Sequence, residues 1–158
     1  MTRTMDSIGM TMTEITMEHI RQSNLIEGVN HKTQDQASME AFEELLNLDV
    51  TETSIKNLHW NVMRSLMKDP GKWRDCWVEV GGRTCPNPLY VPQLMKDWIE
   101  DCQELSPRVA HISFERIHPF RDGNGRVGRM LMWCHEIKNG IEPTLIHYDD
   151  RWSYYSWF

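Results

Sequence analysis

Apolar positions recur at helical spacing through most of the chain, and the rhythm fails in one place. Ile55, Leu58, Val62, Leu66 and Met67 follow Ser54, which reads as a cap, so a helix is predicted over Ser54 to Lys68 with "DPG" as its stop. Pro92 suits a first helical turn, and Leu94, Met95, Trp98, Ile99, Cys102 and Leu105 then trace one apolar face. Ser106-Pro107 restarts a helix through "RVAHISFERI", whose Val109, Ile112 and Phe114 are assigned to the core. Val127, Met130, Leu131, Cys134 and Ile137 keep the same spacing until Asn139-Gly140 ends it, and "SMEAFEELLNL" adds a helix upstream. The break is "WRDCWVEVGGRTCPNPLYVP": Trp77 to Val80 suits a short strand, Gly81-Gly82 a tight turn, and prolines at 86, 88 and 92 forbid a long return strand. The pattern therefore predicts an all-α fold with a small β-hairpin flap. The closing "RWSYYSWF" concentrates aromatics that are docked on the core, cut short, or covered by a partner.

Length limits the chain to one core, since 158 residues are too few for two comfortable ones. Its 40% hydrophobic and 25% charged residues suit a soluble protein, and no apolar run nears the roughly 20 residues needed to cross a bilayer. The opening "MTRTMDSIGMTMTEITMEHI" has neither an apolar h-region nor a small-residue cleavage site, so no secretory leader and no membrane partner are expected. A formal charge of −6 argues against broad nucleic-acid binding, which needs clustered Lys and Arg. Cys76, Cys85, Cys102 and Cys134 form no CxxC pair and read as reduced, mostly buried thiols of a cytoplasmic protein.

The chemistry concentrates in "IHPFRDGNGRVGRM", Ile117 to Met130. Gly123 and Gly125 permit positive φ and remove side chains, so the N–H groups of a turn, together with the start of the following helix, can converge on an anion. Arg126 and Arg129, at i, i+3, place two guanidinium forks near that helix's first turns. Asp122 would repel a bound phosphate unless a divalent cation stood between them, and Mg²⁺ characteristically takes one or two carboxylates together with substrate phosphates. His118 precedes the turn as a candidate general base, because its imidazole is largely unprotonated near neutral pH. One base, one metal and an anion cradle suffice for phosphoryl or nucleotidyl transfer.

At these residues the sequence resembles the Fic family, whose signature His-x-Phe-x-(Asp/Glu)-Gly-Asn-Gly-Arg-x-x-Arg stands complete as "HPFRDGNGRVGR", His118 to Arg129. "LHWNVMRSLMKDPGKWR", "VPQLMKDWIED", "AHISFERI" and "NGIEP" with "RWSYY" extend the likeness over roughly residues 50 to 158. The resemblance implies a Fic-type helical bundle and transfer of AMP from ATP to a Ser, Thr or Tyr hydroxyl of a target protein. It makes His118 the general base, Phe120 a core anchor for the loop, and Asp122 the Mg²⁺ ligand. Gly123, Asn124 and Gly125 become the anion hole, with Asn124 near the α-phosphate, and Arg126 and Arg129 hold the distal phosphates. The flap, Val78, Glu79, Val80, Gly81 and Gly82, would clamp the target as an added strand. Members of the family often dimerise, so the resemblance also admits a homo-oligomer.

A second likeness lies in "SNLIEGVN", where Ser23, Glu27 and Gly28 fit the (Ser/Thr)-x-x-x-Glu-(Gly/Asn) helix of self-inhibiting Fic proteins. Glu27 would then pair with Arg129 and deny it to the γ-phosphate. Residues 1–34 are accordingly assigned to an N-terminal segment with the inhibitory helix and residues 35–158 to a Fic catalytic core. Two alternatives stand beside the adenylyltransferase: removal of AMP or transfer of another phosphate-linked group at the same site, and a non-catalytic nucleotide-sensing or regulatory protein.

Overall fold

The computed structural model describes residues 12–158. The sequence-based reading that residues 1–11 carry no leader, and that they open the N-terminal segment, lies outside the described residues. Helices α1 (Met12–Ile26), α2 (Lys32–Leu46), α3 (Glu52–Met63), α4 (Val91–Asp101), α5 (Pro107–Ile117), α6 (Asn124–Lys138) and α7 (Arg151–Tyr155) surround one core, and the only sheet among the described residues pairs β1 (Glu79–Val80) with β2 (Arg83–Thr84). This is the all-α architecture with a hairpin flap that the periodicity predicts.

Helix α6 is the centre of the bundle. Arg126 through Glu136 are buried without interruption, because α5, α3, α2 and α1 all pack against it. Val127, Met130, Leu131 and Cys134 supply the expected stripe, and Met132 and Trp133 fill the opposite side. A helix apolar or buried all round belongs in the middle of a fold.

Three local expectations are corrected. The cap of α3 is Thr51, three residues before Ser54. Its side chain accepts the Ser54 N–H at 3.1 Å while Ser54 Oγ accepts the Thr51 N–H at 2.8 Å, a capping box with Ser54 on its inner side. That helix also ends at Met63 and does not reach Lys68, because the N–H groups of Leu66 and Met67 both turn back to the Met63 carbonyl. Leu66 is thereby exposed. Val109 faces solvent at 50% exposure, Ile112 is half-buried, and Ala110 and Phe114 form the inner face of α5.

The flap is shorter than Trp77 to Val80. Only Glu79 and Val80 pair with Thr84 and Arg83, around Gly81 and Gly82 with φ of 56° and 77°, the two positive values a tight hairpin turn requires. Trp77 stands outside the ladder, 60% exposed. At the end of the described chain Tyr154 is buried against His111, which docks α7 on the core, while Trp152 remains exposed. All four cysteines are free thiols, three of them buried. No helix among the described residues is long and apolar enough to cross a membrane.

Candidate functional site

The loop from His118 to Gly123 joins α5 to α6 and is held from several sides. His118 ends α5 in the left-handed conformation, φ 52° and ψ 63°, which costs a side-chain-bearing residue about 1–2 kcal/mol. Something must therefore fix it, and Arg74 does. Its Nε donates to the His118 carbonyl at 2.7 Å, Nη2 to Pro86 O at 2.7 Å and Ile117 O at 3.2 Å, and Nη1 to Cys76 O at 2.9 Å. The Arg74 N–H completes the clamp on Pro119 O at 2.8 Å. Arg74 is buried and grips both legs of the flap and the start of the loop at once. Burial lowers its pKa.

Phe120 is fully buried and lies flat on His59, ring centroids 3.7 Å apart. His59 accepts the Gly71 N–H on Nδ1 at 2.7 Å and donates from Nε2 to Asp122 O at 2.8 Å, which defines a neutral tautomer. Burial, the largest influence on it, pushes its pKa down in the same sense. Asn124 closes the loop: its amide accepts the Phe120 N–H and donates to the Phe120 carbonyl, both at 2.8 Å. Its side chain is thus committed to the loop, leaving its backbone N–H for an anion. At Gly123, φ is 83° and a Cβ would stand 2.7 Å from Met63 Sδ, so a side chain at this cap position would be strained and would displace Met63.

Helix α6 opens with free N–H groups, since its first backbone bond is Val127 N–H to Gly123 O. Arg126 beside this opening is buried, with Nε and Nη1 unpartnered, and burial lowers its pKa. A desolvated guanidinium with idle donors at a helix N-terminus fits an anionic ligand. Asp122 is exposed, and one oxygen takes the Gly123 N–H at 2.7 Å. Among the described residues no three His, Cys, Asp or Glu side chains form a metal cage. A lone carboxylate beside a phosphate cradle matches the needs of Mg²⁺ arriving with phosphate oxygens.

Arg129 is buried to 1% and fully committed. Nε donates to Ser23 Oγ at 2.7 Å, Nη2 to Ser23 O at 3.2 Å and to Glu27 Oε1 at 2.6 Å, and Nη1 to Tyr154 OH at 3.3 Å. Burial opposes its charge, but Tyr154 and Glu27 outweigh it and raise the pKa. Ser23 and Glu27 reach Arg129 together because α1 ends there. Gly28, φ 73°, sends its N–H to Leu25 O while the Val29 N–H reaches Asn24 O, the paired bonds of a Schellman cap. A Cβ on Gly125 would meet Glu27 Oε1 at 2.3 Å. The carboxylate therefore lies directly on the opening turn of α6.

The structure brings Ser23, Glu27, Gly125, Arg126 and Arg129 into one cluster, with His118 and Asp122 on the adjoining loop. The flap residues Glu79, Val80, Gly81 and Gly82 are exposed and Val78 is half-buried, and Arg74 ties the flanking Cys76 and Pro86 carbonyls to the site loop. Sequence reasoning missed Arg74, His59, His111, Glu115 and Tyr154. His59 left a signal, being a polar residue next to Leu58 on the Ile55–Val62 face.

The Fic/DOC family profile matches residues 49–135. Protein adenylyltransferase Fic of Drosophila willistoni is 36% identical over 120 residues, 68% of this chain and 24% of that protein. Protein adenylyltransferase fic-1 of Caenorhabditis elegans is 32% identical over 97 residues, 56% of this chain and 19% of that protein. The chain thus spans about a quarter or less of the length of these curated relatives. A crystal structure of a Fic-domain signalling protein from Bacteroides thetaiotaomicron superposes with TM-score 0.73 at 22% identity, covering 91% of this chain and 71% of that one. Residues 134–508 of C. elegans Fic-1 superpose with TM-score 0.74 at 20% identity, covering 92% and 55%. With the profile spanning more than half of its length, the matching bundle and the complete loop from His118 to Arg129, the chain belongs to the Fic/DOC family.

Proposed function

We propose that the protein is a self-inhibited protein adenylyltransferase that moves AMP from ATP to a Ser, Thr or Tyr hydroxyl of a target protein. His118 accepts the hydroxyl proton as that oxygen bonds to the α-phosphorus, and the bond to pyrophosphate breaks, giving AMP-modified protein and pyrophosphate. The N–H groups that open α6 receive the phosphate oxygens, and Arg126 and Arg129 hold the distal phosphates. Asp122 would hold Mg²⁺, which supplies positive charge to the departing pyrophosphate. The flap from Val78 to Gly82, exposed from Glu79 onward, would take the target segment as an added strand. Free, mostly buried thiols agree with a cytoplasmic setting.

The observation that carries this reading is the position of Glu27. Its carboxylate bonds Arg129 at 2.6 Å and overlies Gly125, so it occupies both the guanidinium and the cradle that a triphosphate needs. The relatives named as protein adenylyltransferases support the reaction class.

The test is incubation of wild type, Glu27→Gly and Glu27→Gly/His118→Ala with labelled ATP, Mg²⁺ and lysate, followed by mass analysis. Labelling by an AMP mass should rise in Glu27→Gly and vanish in the double variant. A folded Glu27→Gly chain with no gain in labelling overturns self-inhibition. If instead the wild type strips AMP from a modified protein and Glu27→Gly does not, removal of AMP replaces transfer as the reaction.

A further inference from the structure

Glu115 is a buried carboxylate that the reaction outlined above does not use. It lies on α5 one turn before His118, with its Oε2 3.7 Å from His118 Nδ1. Oε1 has no hydrogen-bond partner, and neither does His118 Nδ1, although both atoms are buried. Oε2 is the carboxylate oxygen beside the ring nitrogen, and a buried carboxylate next to a buried, unpartnered ring nitrogen is a complementary pair, since buried polar groups are costly unless paired. The separation exceeds a hydrogen bond by a few tenths of an ångström, within reach of a small rotation of either side chain.

The left-handed turn at His118 creates this proximity. It folds the chain back at the end of α5, while Arg74 holds the His118 carbonyl on the other side. Glu115 is itself walled in. A Cβ on Gly128 would come within 2.3 Å of its Oε1, so the glycine on α6 is what makes room for the carboxylate. Burial drives its pKa up, but His118, His111 and Arg129 more than offset this and leave it lowered, an ionised acceptor in the core.

We propose that Glu115 is the positioning residue of His118: its carboxylate accepts the Nδ1–H, selecting the tautomer whose bare Nε2 faces the incoming hydroxyl. An imidazole without such a partner divides between two tautomers and several ring orientations, and only one combination can accept a proton at the reacting centre. The arrangement has the logic of a carboxylate–histidine pair in hydrolases, here built within one helix turn. The inference rests on His118 acting as the base, but its first test does not require turnover.

That test is ring nitrogen NMR on ¹⁵N-histidine-labelled full-length protein, with His118→Ala to assign the signal, at a pH where the imidazole is neutral. The wild type should show a protonated Nδ1 and a bare Nε2. Glu115→Leu should lose this preference and Glu115→Gln, which keeps an acceptor oxygen, should retain it. A wild-type His118 with Nε2 protonated overturns the proposal even if neither variant folds, and so does an unchanged tautomer in Glu115→Leu. In the Glu27→Gly background, Glu115→Leu should lower kcat about ten- to a hundredfold with the KM for ATP unchanged, and Glu115→Gln should restore most of it. A raised KM with intact kcat also overturns it. Absent labelling in Glu27→Gly alongside the expected tautomer would instead refute the adenylyltransferase reading and leave the pairing intact.

Discussion

Replacing Glu27 should lower the stability of the free protein and enlarge the stabilisation that nucleotide gives. Arg129 is 1% exposed and Glu27 31% exposed at the side chain. Breaking a fully buried pair costs about 3–5 kcal/mol. Partial exposure of the carboxylate, and the Ser23 and Tyr154 contacts that survive, bring the expectation for Glu27→Gly to about 1–3 kcal/mol. At about 2–4 °C per kcal/mol for a chain of this size, the free variant should melt about 2–12 °C below wild type. ATP with Mg²⁺ should then raise its melting temperature more than it raises that of the wild type, because a phosphate returns negative charge to Arg129. A ligand at a hundred times its Kd contributes about 2.7 kcal/mol. Differential scanning fluorimetry of both chains, with and without MgATP, gives the four melting temperatures required. Equal nucleotide shifts in the two proteins would refute the claim that Glu27 and the triphosphate compete for one guanidinium.

Three other outcomes follow from buried groups near the site. Gly128→Ala would place a methyl 2.3 Å from Glu115 Oε1 and 3.0 Å from Phe114 and His111, and urea unfolding should register a loss of about 1–3 kcal/mol. Arg74→Lys leaves one ammonium for the carbonyls of Cys76, Pro86, Ile117 and His118. It should cost about 2–4 kcal/mol in the same assay, and faster amide exchange at Cys85 would show the flap loosening. Acid should weaken the fold through His111, whose burial lowers its pKa to about 4. Between about pH 6.5 and 4 the unfolded chain binds a proton that the folded chain refuses, so stability present above that window falls by about 3 kcal/mol across it. A His111→Gln variant should therefore lose less stability than wild type between neutral pH and pH 4, and parallel losses would count against the assignment.

The helices were legible because their apolar residues repeat: α4, α5 and α6 fall where Leu94 to Cys102, Ser106-Pro107 and Val127 to Ile137 place them. Boundaries were less so. Ser54 looks like a cap by residue type, but Thr51 sits three positions earlier with equal chemistry, and only the reciprocal bonds between them decide which one starts the helix. Val109 has the right residue type for the core and the wrong angular position for α5 packed on α6. At the site, the contiguous stretch His118 to Arg129 and the Ser23–Glu27 spacing were readable, since each lies within a few residues. Arg74 and Tyr154 were not, because Arg74 reaches His118 44 residues away and Tyr154 reaches Arg129 25 residues away, and such long-range contacts leave no periodic trace in the chain.

Glu27 and Arg129 belong to one polypeptide, tied through the short link of residues 27–31 and α2 to the rest of the bundle. Their association is therefore unimolecular, and dilution cannot dissociate it. A separate blocking protein would be governed by its abundance, whereas this carboxylate faces its guanidinium at an effective concentration on the order of millimolar or above whatever the expression level. Any agent that frees Arg129 must outcompete that local concentration or pull α1 away.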